Sequence, residues 1–349
     1  MTTRRDLLKA ALAAGLVLPA GRNAVRAQGR PLVFCSWGGL MSQLEKDAFM
    51  DPAARELGAQ IANTSPVSYA KIKAMVEAGG VDWDIVNVGG RFIYQGRDQN
   101  LLVPIDTTIV DLSKLEKEWY ASHGVFTSTG ATVIGWNTKA IPANAGPSSW
   151  KDFWNVKDFP GARALYKQIF YNWEAALMAA GLNREEVYPV TDEKWRIVQA
   201  KIVEIKPHVK LWWTAGAQPA QLLATGEVAL AAIWTGRATD AQKEGAPLAI
   251  TYNQGIAWGN AFVVPRGTPH RDLAMRVINY CIGETAQMRL ADAIYGPVLS
   301  SAAAKASPER QAHLVTSPQN RAIMLVQNDE QSAIYGTRYE EGWAKLQLV

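Results

Sequence analysis

The sequence predicts an α/β protein of two lobes, each lobe a mixed sheet flanked by helices, with two crossing segments as the hinge. Short apolar strands alternate with amphipathic helices along most of the chain. Two similar strands, at residues 131–137 and 254–266, lie far enough apart for a separate lobe to form between them. Glycines and aromatic residues follow several strands. We therefore expect a cleft beneath the two crossings that holds a small molecule.

The first 27 residues predict an export signal. Arg4 and Arg5 precede an apolar run at residues 10–18, and a small-residue pattern typical of a signal-peptidase site ends at Ala27. We expect a twin-arginine signal peptide over residues 1–27 and a periplasmic location. The apolar run is shorter than the roughly 20 residues that a membrane-spanning helix needs, so a membrane-anchored protein is the weaker alternative.

The charge balance argues against a nucleic-acid partner. The whole chain has a formal net charge of +4, and this excess lies in the predicted signal peptide. Residues 28–349 carry 31 basic and 31 acidic residues. No block of lysine and arginine is interleaved with aromatic residues, which a basic binding surface would need. We expect a monomer that binds no nucleic acid.

The cysteines and histidines predict neither a disulfide framework nor a metal site. Cys35 lies in an apolar strand and Cys281 on the apolar face of a helix. Both are expected to be buried thiols, and a single disulfide between them is the alternative. The four histidines are isolated from one another in the chain, without the spacing that zinc sites use. We expect no metal and no cofactor.

The first part of the chain predicts three strands, each followed by a turn and a helix. The strands are residues 31–37, 60–64 and 83–88. In the first helix the apolar face is Leu40, Leu44, Ala48 and Phe49, and in the second, capped by Ser68, it is Tyr69, Ile72 and Val76.

Two of the turns in this part should face the cleft. Because ligands in α/β sheets gather beyond the carboxyl ends of strands, the turns after Trp37 and at Gly89 are candidate cleft residues. Arg91 follows the second turn directly.

The middle of the chain repeats the alternation. Ser149 and Thr191 begin helices, and further helices are expected at residues 218–225 and 236–244. The predicted strands are 209–213, 228–233 and 248–252. After the return strand, a helix with an apolar face at 273–281, a turn at 295–297 and amphipathic helices to Val349 complete the chain. We therefore assign residues 28–134 with 258–300 to lobe 1, 135–257 to lobe 2, and 301–349 to C-terminal helices that pack back on the lobes.

Four segments in order resemble a known family. They are Cys35-Ser36-Trp37, Ser149 to Trp154 with Phe159-Pro160-Gly161, Gly226-Glu227-Val228 with Ala232 to Gly236, and Gly255 to Trp258 with Pro265. These are similar to the conserved pieces of the periplasmic solute-binding proteins of ABC importers, in particular the spermidine/putrescine-binding group, called extracellular solute-binding family 1. The resemblance covers nearly all of the chain after the signal peptide. It implies the type II periplasmic-binding-protein fold and an ABC permease in the inner membrane as partner.

The same resemblance implies an aromatic box. Trp37, Trp234, Trp258 and Tyr295 stand where that family lines its cleft. An ammonium over an indole face gains about 0.5 to 2 kcal/mol, so such a box suits an amine. For Trp258 the alternative is an ordinary core residue.

The departures from the polyamine binders point toward a zwitterion. Where those proteins place carboxylates, this chain has Asn260 at the crossing and Tyr171 in the segment after Gly161. Arg91 and Arg237 are suited to a carboxylate. For each of them, and for Arg91 in particular, the alternative is a solvated surface residue. We expect either a polyamine-like solute or an amino acid of the 4-aminobutyrate kind.

One residue of the pair Trp212 and Trp213 should face the core, because side chains alternate along a strand. We take Trp213 as the cleft residue, which completes the candidate set with Gly89.

Other functions are less well supported by the motifs. An exported α/β hydrolase would need a nucleophile motif such as Gly-x-Ser-x-Gly, and the chain has neither this nor a dinucleotide or phosphate-binding loop. A ferric-ion or anion binder of the same fold would carry adjacent tyrosines in the second half, and this chain has none. We therefore expect a binding protein and no enzyme; a sensor role in place of transport stays open.

Overall fold

A computed structural model describes residues 29–293 and 295–348. The predicted twin-arginine signal at residues 1–27 lies outside these residues. From Leu32 onward the chain forms one compact unit. None of the helices in the described part of the chain is long and apolar enough to cross a membrane.

The strands form a single ten-stranded mixed sheet. In chain order they are β1 Leu32–Cys35, β2 Ile61–Thr64, β3 Ile85–Gly89, β4 Tyr120–Ala121, β5 Gly124–Asn137, β6 Arg163–Tyr166, β7 Val209–Trp213, β8 Leu230–Trp234, β9 Leu248–Val263 and β10 Leu325–Val326. The spatial order is β2-β1-β3-β9-β5-β8-β6-β7, with β10 paired to β9 and β4 to β5. The outer strands run parallel, whereas β9 is antiparallel to β3 and β5, and β5 to β8.

The helices flank this sheet. They are α1 Gly39–Glu45, α2 Asp51–Leu57, α3 Tyr69–Glu77, α4 Gly90–Asp98, α5 Trp150–Trp154, α6 Asn172–Ala179, α7 Asp192–Ile205, α8 Gln218–Thr225, α9 Thr235–Lys243, α10 Arg271–Cys281, α11 Glu284–Ala291, α12 Ser300–Lys305, α13 Pro308–Gln311, α14 Pro318–Ile323, α15 Asp329–Arg338 and α16 Glu340–Leu348. The three predicted caps are confirmed: the hydroxyls of Ser68, Ser149 and Thr191 each accept a backbone N–H from the first turn that follows.

The predicted apolar face of the first helix is wrong in part. A π-helical turn, Lys46–Met50, joins α1 to α2 and shifts the register of the buried face by about one residue. Met41 and Glu45 are therefore buried, and Leu40 is 47% exposed. Tyr69 also faces outward, with 37% of its surface exposed, because α3 begins at the edge of the cleft.

The two predicted strands at the return crossing are one element. β9 runs for 16 residues and pairs with β5 along most of its length. Gln254, with φ of +56°, marks a bend where the register of the pair shifts. The two long strands thus carry the chain between two groups of strands, β1 to β3 on one side and β6 to β8 on the other.

The buried side chains form separate clusters on either side of β5 and β9. One cluster includes Phe34, Trp119 and Phe262. Another includes Trp150 and Trp173, together with side chains of α15 and α16 at the C-terminus. This pattern supports the predicted lobe boundaries, which remain a prediction.

Both cysteines are free and fully buried. The alternative of a disulfide between Cys35 and Cys281 is therefore wrong. Burial raises the pKa of the Cys35 thiol to about 11, so the thiol is neutral and unreactive at ordinary pH.

Candidate functional site

A cavity of about 460 Å³ lies at the carboxyl ends of β1, β3 and β8, against the middle of β9. We call it the cleft. Nine of the ten candidate residues line it: Trp37, Gly89, Arg91, Tyr171, Trp234, Arg237, Trp258, Asn260 and Tyr295. Residues from the two groups of strands thus meet in one place, as the strand-end positions predict.

One side of the cleft is an aromatic wall of Tyr166, Tyr171, Trp234 and Trp258. The rings touch in a closed circuit, with centroid separations of 5.8, 6.3, 5.9 and 6.0 Å around it. These separations are those of favourable tilted and edge-to-face pairs. The wall is therefore assembled by its own ring contacts.

Trp258 lies flat against β5 because the residue opposite has no side chain. A Cβ on Gly130 would come within 2.5 Å of the indole. The indole nitrogen donates to the Thr132 hydroxyl at 3.3 Å, and the ring lines the cleft. The alternative of an ordinary core residue is thus not what the structure shows.

Trp213 is the candidate that does not line the cleft. It is fully buried, and its indole nitrogen donates to the Ala232 carbonyl at 3.0 Å. The ring packs behind the aromatic wall, 5.1 Å from Trp234. Alternation along β7 turns Trp212 the other way, against Trp343. Trp213 supports the wall and is out of reach of a ligand.

The opposite side of the cleft is a turn wall of Trp37, Tyr69 and Gly89. Trp37 is 41% exposed and meets Tyr69 edge-on at 6.2 Å. The Tyr69 hydroxyl accepts the Gly89 backbone N–H at 3.1 Å, and its ring stacks on Phe92 at 4.1 Å. The turn wall is anchored at Tyr69 and open at Trp37.

Two arginines reach the cleft without an ionic partner. Within residues 29–293 and 295–348, neither Arg91 nor Arg237 forms an ion pair or a side-chain hydrogen bond. The Arg91 guanidinium carbon lies 3.1 Å from the centroid of the Phe170 ring. Arg237 is exposed in the first turn of α9. Both guanidiniums are free to receive an anion.

Asp329 is the cleft residue that sequence reasoning missed. It is the first residue of α15, which begins shortly after the short strand β10. Because β10 pairs with β9, Asp329 lies beside the cleft and lines it. Burial raises the pKa of its carboxyl to about 7, and the nearby Arg91 opposes this shift. The sequence gives no signal for it, because Asn328 is an ordinary helix cap and β10 is two residues long.

A buried carboxyl group fixes the segment that carries Asp329. One oxygen of Glu174 accepts hydrogen bonds from Tyr188 Oη at 2.6 Å, Tyr335 Oη at 2.9 Å and Gln327 Nε2 at 3.2 Å. Glu174 belongs to α6, whose first residue follows Tyr171. The network therefore ties the C-terminal segment to the aromatic wall. Burial raises the Glu174 pKa, and the hydrogen bonds oppose this.

Asn260 and Tyr295 complete the floor of the cleft with uncharged groups. The Asn260 amide donates to Ser128 Oγ at 3.3 Å. Tyr295 is held by its neighbour Gly296, which exchanges two backbone hydrogen bonds with Thr129 at 2.8 and 3.1 Å. In the described part of the chain, no group of three or more His, Cys, Asp or Glu side chains is arranged to hold a metal ion.

Residues 60–316 match the family described as bacterial extracellular solute-binding protein. The chain belongs to this family. The binding protein is 35% identical over 302 residues to the gamma-aminobutyric acid-binding protein of Pseudomonas aeruginosa, with 85% of each chain covered. It is 25% identical over 279 residues to spermidine/putrescine-binding periplasmic protein 1 of Haemophilus influenzae, covering 75% of this chain and 74% of that one.

The solved structures agree with this assignment. The binding protein superposes on the structure of the "Atu4243-GABA receptor" with a TM-score of 0.82 and 31% identity, covering 91% of this chain and 98% of the other. The predicted periplasmic-binding-protein fold is confirmed. The predicted class, the periplasmic substrate-binding component of an ABC transporter, is confirmed as well.

Proposed function

We propose that the binding protein captures a small zwitterion of the 4-aminobutyrate kind in the cleft. The observation that carries this proposal is the set of charges there. One carboxylate, Asp329, and two unpaired arginines, Arg91 and Arg237, share one cavity with an aromatic wall. An amine and a carboxylate in one ligand complement this set, and a neutral or purely cationic ligand does not.

The amine end belongs at Asp329 and the aromatic wall. An ammonium over an indole face gains about 0.5 to 2 kcal/mol, more where water is excluded. A charge-assisted hydrogen bond to a carboxylate adds about 1.5 to 3 kcal/mol. Asp329 also lies where the Glu174 network holds its segment in place, so little ordering is needed on binding.

The carboxylate end belongs at the start of α9. Thr235 and Gly236 line the cleft at the first turn of this helix, beside Arg237. The first backbone N–H groups of a helix have no partner within the helix, and the helix dipole favours an anion there. An arginine fork and free N–H groups together match a carboxylate.

A polyamine is the second candidate and is less well matched. A diamine has two ammonium groups, and among the described residues that line the cleft Asp329 is the one carboxylate. The second ammonium would therefore face an arginine, which costs binding free energy. The similarity to the spermidine/putrescine-binding relative is compatible with a shared fold and a different charge pattern.

Isothermal titration calorimetry with four probes tests the proposal. 4-Aminobutyrate carries both end groups, butyrate lacks the amine, butylamine lacks the carboxylate, and putrescine replaces the carboxylate with a second amine. We expect 4-aminobutyrate to bind at least tenfold more tightly than the other three, since each end group is worth about 1.5 to 3 kcal/mol. Tighter binding of putrescine would favour the polyamine alternative, and equal binding of butyrate would remove the role of Asp329.

Capture without chemistry is part of the proposal. The lobes close on the ligand by hinge bending, and the closed form engages the ABC permease. Mass spectrometry of ligand recovered after long incubation should show an unchanged compound; a new product would point to an enzyme. Light scattering should show a monomer with and without ligand.

The export route follows from residues 1–27. We propose passage through the twin-arginine pathway, since Arg4 and Arg5 precede the apolar run. Changing both to lysine should keep the protein in the cytoplasm, whereas the change of Arg22 to lysine should leave export intact. Equal export of both variants would contradict a twin-arginine signal.

A further inference from the structure

Tyr171 has a backbone conformation that bulky residues rarely adopt. Its φ is +67° and its ψ is −30°. The Cβ of an L-residue is crowded at positive φ, so this conformation costs free energy and favours glycine. Tyr171 belongs to the aromatic wall, and its ring lines the cleft. A strained residue of this kind persists only where the surrounding structure holds it.

The two other described residues that combine a side chain with a positive φ each have a local reason for it. Asn100 follows the end of α4, and asparagine tolerates this conformation. Gln254 is fixed by its own groups: its amide oxygen accepts the Trp150 backbone N–H and its carbonyl accepts the Trp150 indole N–H, both at 2.9 Å. Within residues 29–293 and 295–348, the Tyr171 hydroxyl makes no hydrogen bond. The conformation of Tyr171 is therefore set by its neighbours in the chain.

Asn172, the next residue, closes the loop that leads into Tyr171. We call residues 167–171, between β6 and α6, the wall loop. The Asn172 side-chain amide donates to the carbonyls of Tyr166 and Gln168, each at 2.7 Å. Asn172 is 2% exposed and is not among the described residues that line the cleft. Both donors of this amide thus bind the backbone at the start of the wall loop.

Packing fixes the residue on the other side of Tyr171. The centroid of the Phe170 ring lies 3.1 Å from the guanidinium carbon of Arg91. The same ring packs on Gly336 of α15, where a Cβ would come within 2.7 Å of it. Since Asn172 begins α6 on the opposite flank, the chain is held both before and after Tyr171.

Between two fixed flanks, the φ of Tyr171 decides where its ring points. The ring lies 5.8 Å from Tyr166 and 6.3 Å from Trp258, measured between centroids. Through these two contacts Tyr171 closes the circuit of the aromatic wall. At an ordinary negative φ the Cα–Cβ bond would leave the same backbone in another direction, and both contacts would be lost.

The Tyr171 hydroxyl lies in the charged part of the site. Burial raises the pKa of this group, and the nearby Arg91 opposes the shift. The hydroxyl therefore stays protonated and can both donate and accept a hydrogen bond. The held conformation thus presents to the ligand a ring and a polar group that has no partner in the described part of the chain.

We propose that Asn172 is a positioning residue for ligand binding. Its amide closes the wall loop and thereby holds Tyr171 at the positive φ that turns the ring into the cleft. Asn172 does not touch the ligand and acts on affinity through Tyr171. This inference rests on the proposed function, because it takes the cleft as the place where the ligand binds.

A double-mutant cycle tests the proposal by calorimetry with 4-aminobutyrate. Tyr171→Gly removes the ring and accepts a positive φ, and Asn172→Ala removes both hydrogen bonds of the amide. We expect each change to weaken binding about tenfold, and the double variant to bind no more weakly than Tyr171→Gly alone. If the two effects multiply to about 100-fold, Asn172 does not act through Tyr171, and the proposal is overturned.

Asn137→Ala is the matched control. Asn137 is 3% exposed, its amide donates to the Leu223 carbonyl at 2.6 Å, and it is not among the described residues that line the cleft. Loss of this buried hydrogen bond should lower Tm and change Kd less than about twofold, with or without Tyr171→Gly. A loss of affinity as large as that of Asn172→Ala would show a general effect of stability and would contradict positioning.

Thermal melts test the held conformation without any change at Asn172. Where φ is positive, glycine is less strained than alanine, whereas at an ordinary position alanine is the more stable of the two. Tyr171→Gly should therefore have a higher Tm than Tyr171→Ala. The opposite order would show that residue 171 is not held at positive φ and would overturn the proposal. If Asn172→Ala does not fold, Asn172→Ser, whose hydroxyl can still donate one hydrogen bond, replaces it in the cycle.

The outcomes separate this inference from the proposed function. If putrescine binds and 4-aminobutyrate does not, the proposed zwitterion is wrong, and the same cycle with putrescine decides the role of Asn172. If 4-aminobutyrate binds and Tyr171→Gly leaves its Kd unchanged, the positioning role is overturned and the proposed function stands. If neither probe binds the parent protein, both proposals fail.

Discussion

The two walls of the cleft differ in how they are held. In the aromatic wall, four rings contact one another and Trp213 supports them from behind. In the turn wall, Trp37 and Tyr69 keep 41% and 37% of their surface in solvent. The aromatic wall is therefore formed before the ligand arrives, whereas the turn wall gains burial when the cleft closes. A preformed surface loses little entropy on binding, so it should contribute more to affinity.

Each wall also rests on a buried carboxyl group. Glu45, below the turn wall, accepts hydrogen bonds from Ser36, next to Trp37, and from Asn87. Glu174, below the aromatic wall, accepts three hydrogen bonds and ties in the segment that carries Asp329. The segment that carries the cleft carboxylate Asp329 is thus tied to the aromatic wall.

The largest expected effect comes from removing the carboxylate of Asp329. Asp329→Asn should weaken 4-aminobutyrate about 100-fold, because a charge-assisted hydrogen bond is worth about 1.5 to 3 kcal/mol. Butyrate, which has no amine, should bind the variant and the parent protein equally. Calorimetry measures both, and Asp98→Asn, an exposed aspartate in α4, is the control. An unchanged Kd for 4-aminobutyrate would place the amine elsewhere.

The two walls can be compared directly by indole removal. Trp258→Ala should weaken the ligand about 30-fold and Trp37→Ala about threefold, because the first ring is preorganised and makes the cation–π contact. Circular dichroism should show both variants folded. If Trp258→Ala collapses the fold, that indole serves mainly as core; if Trp37→Ala costs more than Trp258→Ala, our ranking of the walls is reversed.

Affinity should depend on pH through Asp329. Its pKa is raised to about 7 in the free protein, so the carboxyl is mostly neutral below that pH. An ammonium binds the ionised form, and affinity should therefore fall about tenfold from pH 8 to pH 6. Asp329→Asn should remove this dependence. A flat profile in the parent protein would show that the carboxylate is ionised throughout or uninvolved.

The smallest effect concerns stability at the turn wall. Burial raises the pKa of Glu45 to about 8, above its ordinary value. At a pH between the ordinary pKa and the raised pKa, Glu45 is protonated in the folded state and ionised in the unfolded state. The free energy of unfolding therefore falls as pH rises toward 8. Glu45→Gln should remove this decline and raise Tm at pH 8 by about 2 °C or more. Thermal melts at pH 5 and pH 8 measure it; a decline that persists in Glu45→Gln would assign the effect to another group.

Local signals in the sequence explain why so much of the site was predictable. The hydroxyl caps at Ser68 and Ser149 lie just before helices, and glycines close the strands that end at the cleft. Trp37, Gly89 and Trp234 lie at or just after the ends of strands that meet at one edge of the sheet, and they share one cavity with six other candidate residues. The strand-end residues follow from chain position and residue type, whereas the aromatic box of Trp37, Trp234, Trp258 and Tyr295 follows from the family resemblance.

Three features of the structure were not predicted, because they depend on tertiary packing. A π-helical turn shifts the buried face of α1 and exposes Leu40, which no apolar pattern indicates. Alternation allowed either Trp212 or Trp213 to face the cleft, and the position of β7 beside β6 decided for burial of Trp213. Asp329 reaches the cleft because β10 pairs with β9, a contact between distant parts of the chain.

The sequence by itself determined the alternation of strands and helices, the family and the aromatic residues of the cleft. These follow from periodicity, capping and motif, which act over a few neighbouring residues. The tertiary structure alone decided which indole is covered and where Asp329, the one carboxylate among the described residues of the cleft, lies. Those features depend on contacts between segments far apart in the chain, and short-range patterns carry no information about such contacts.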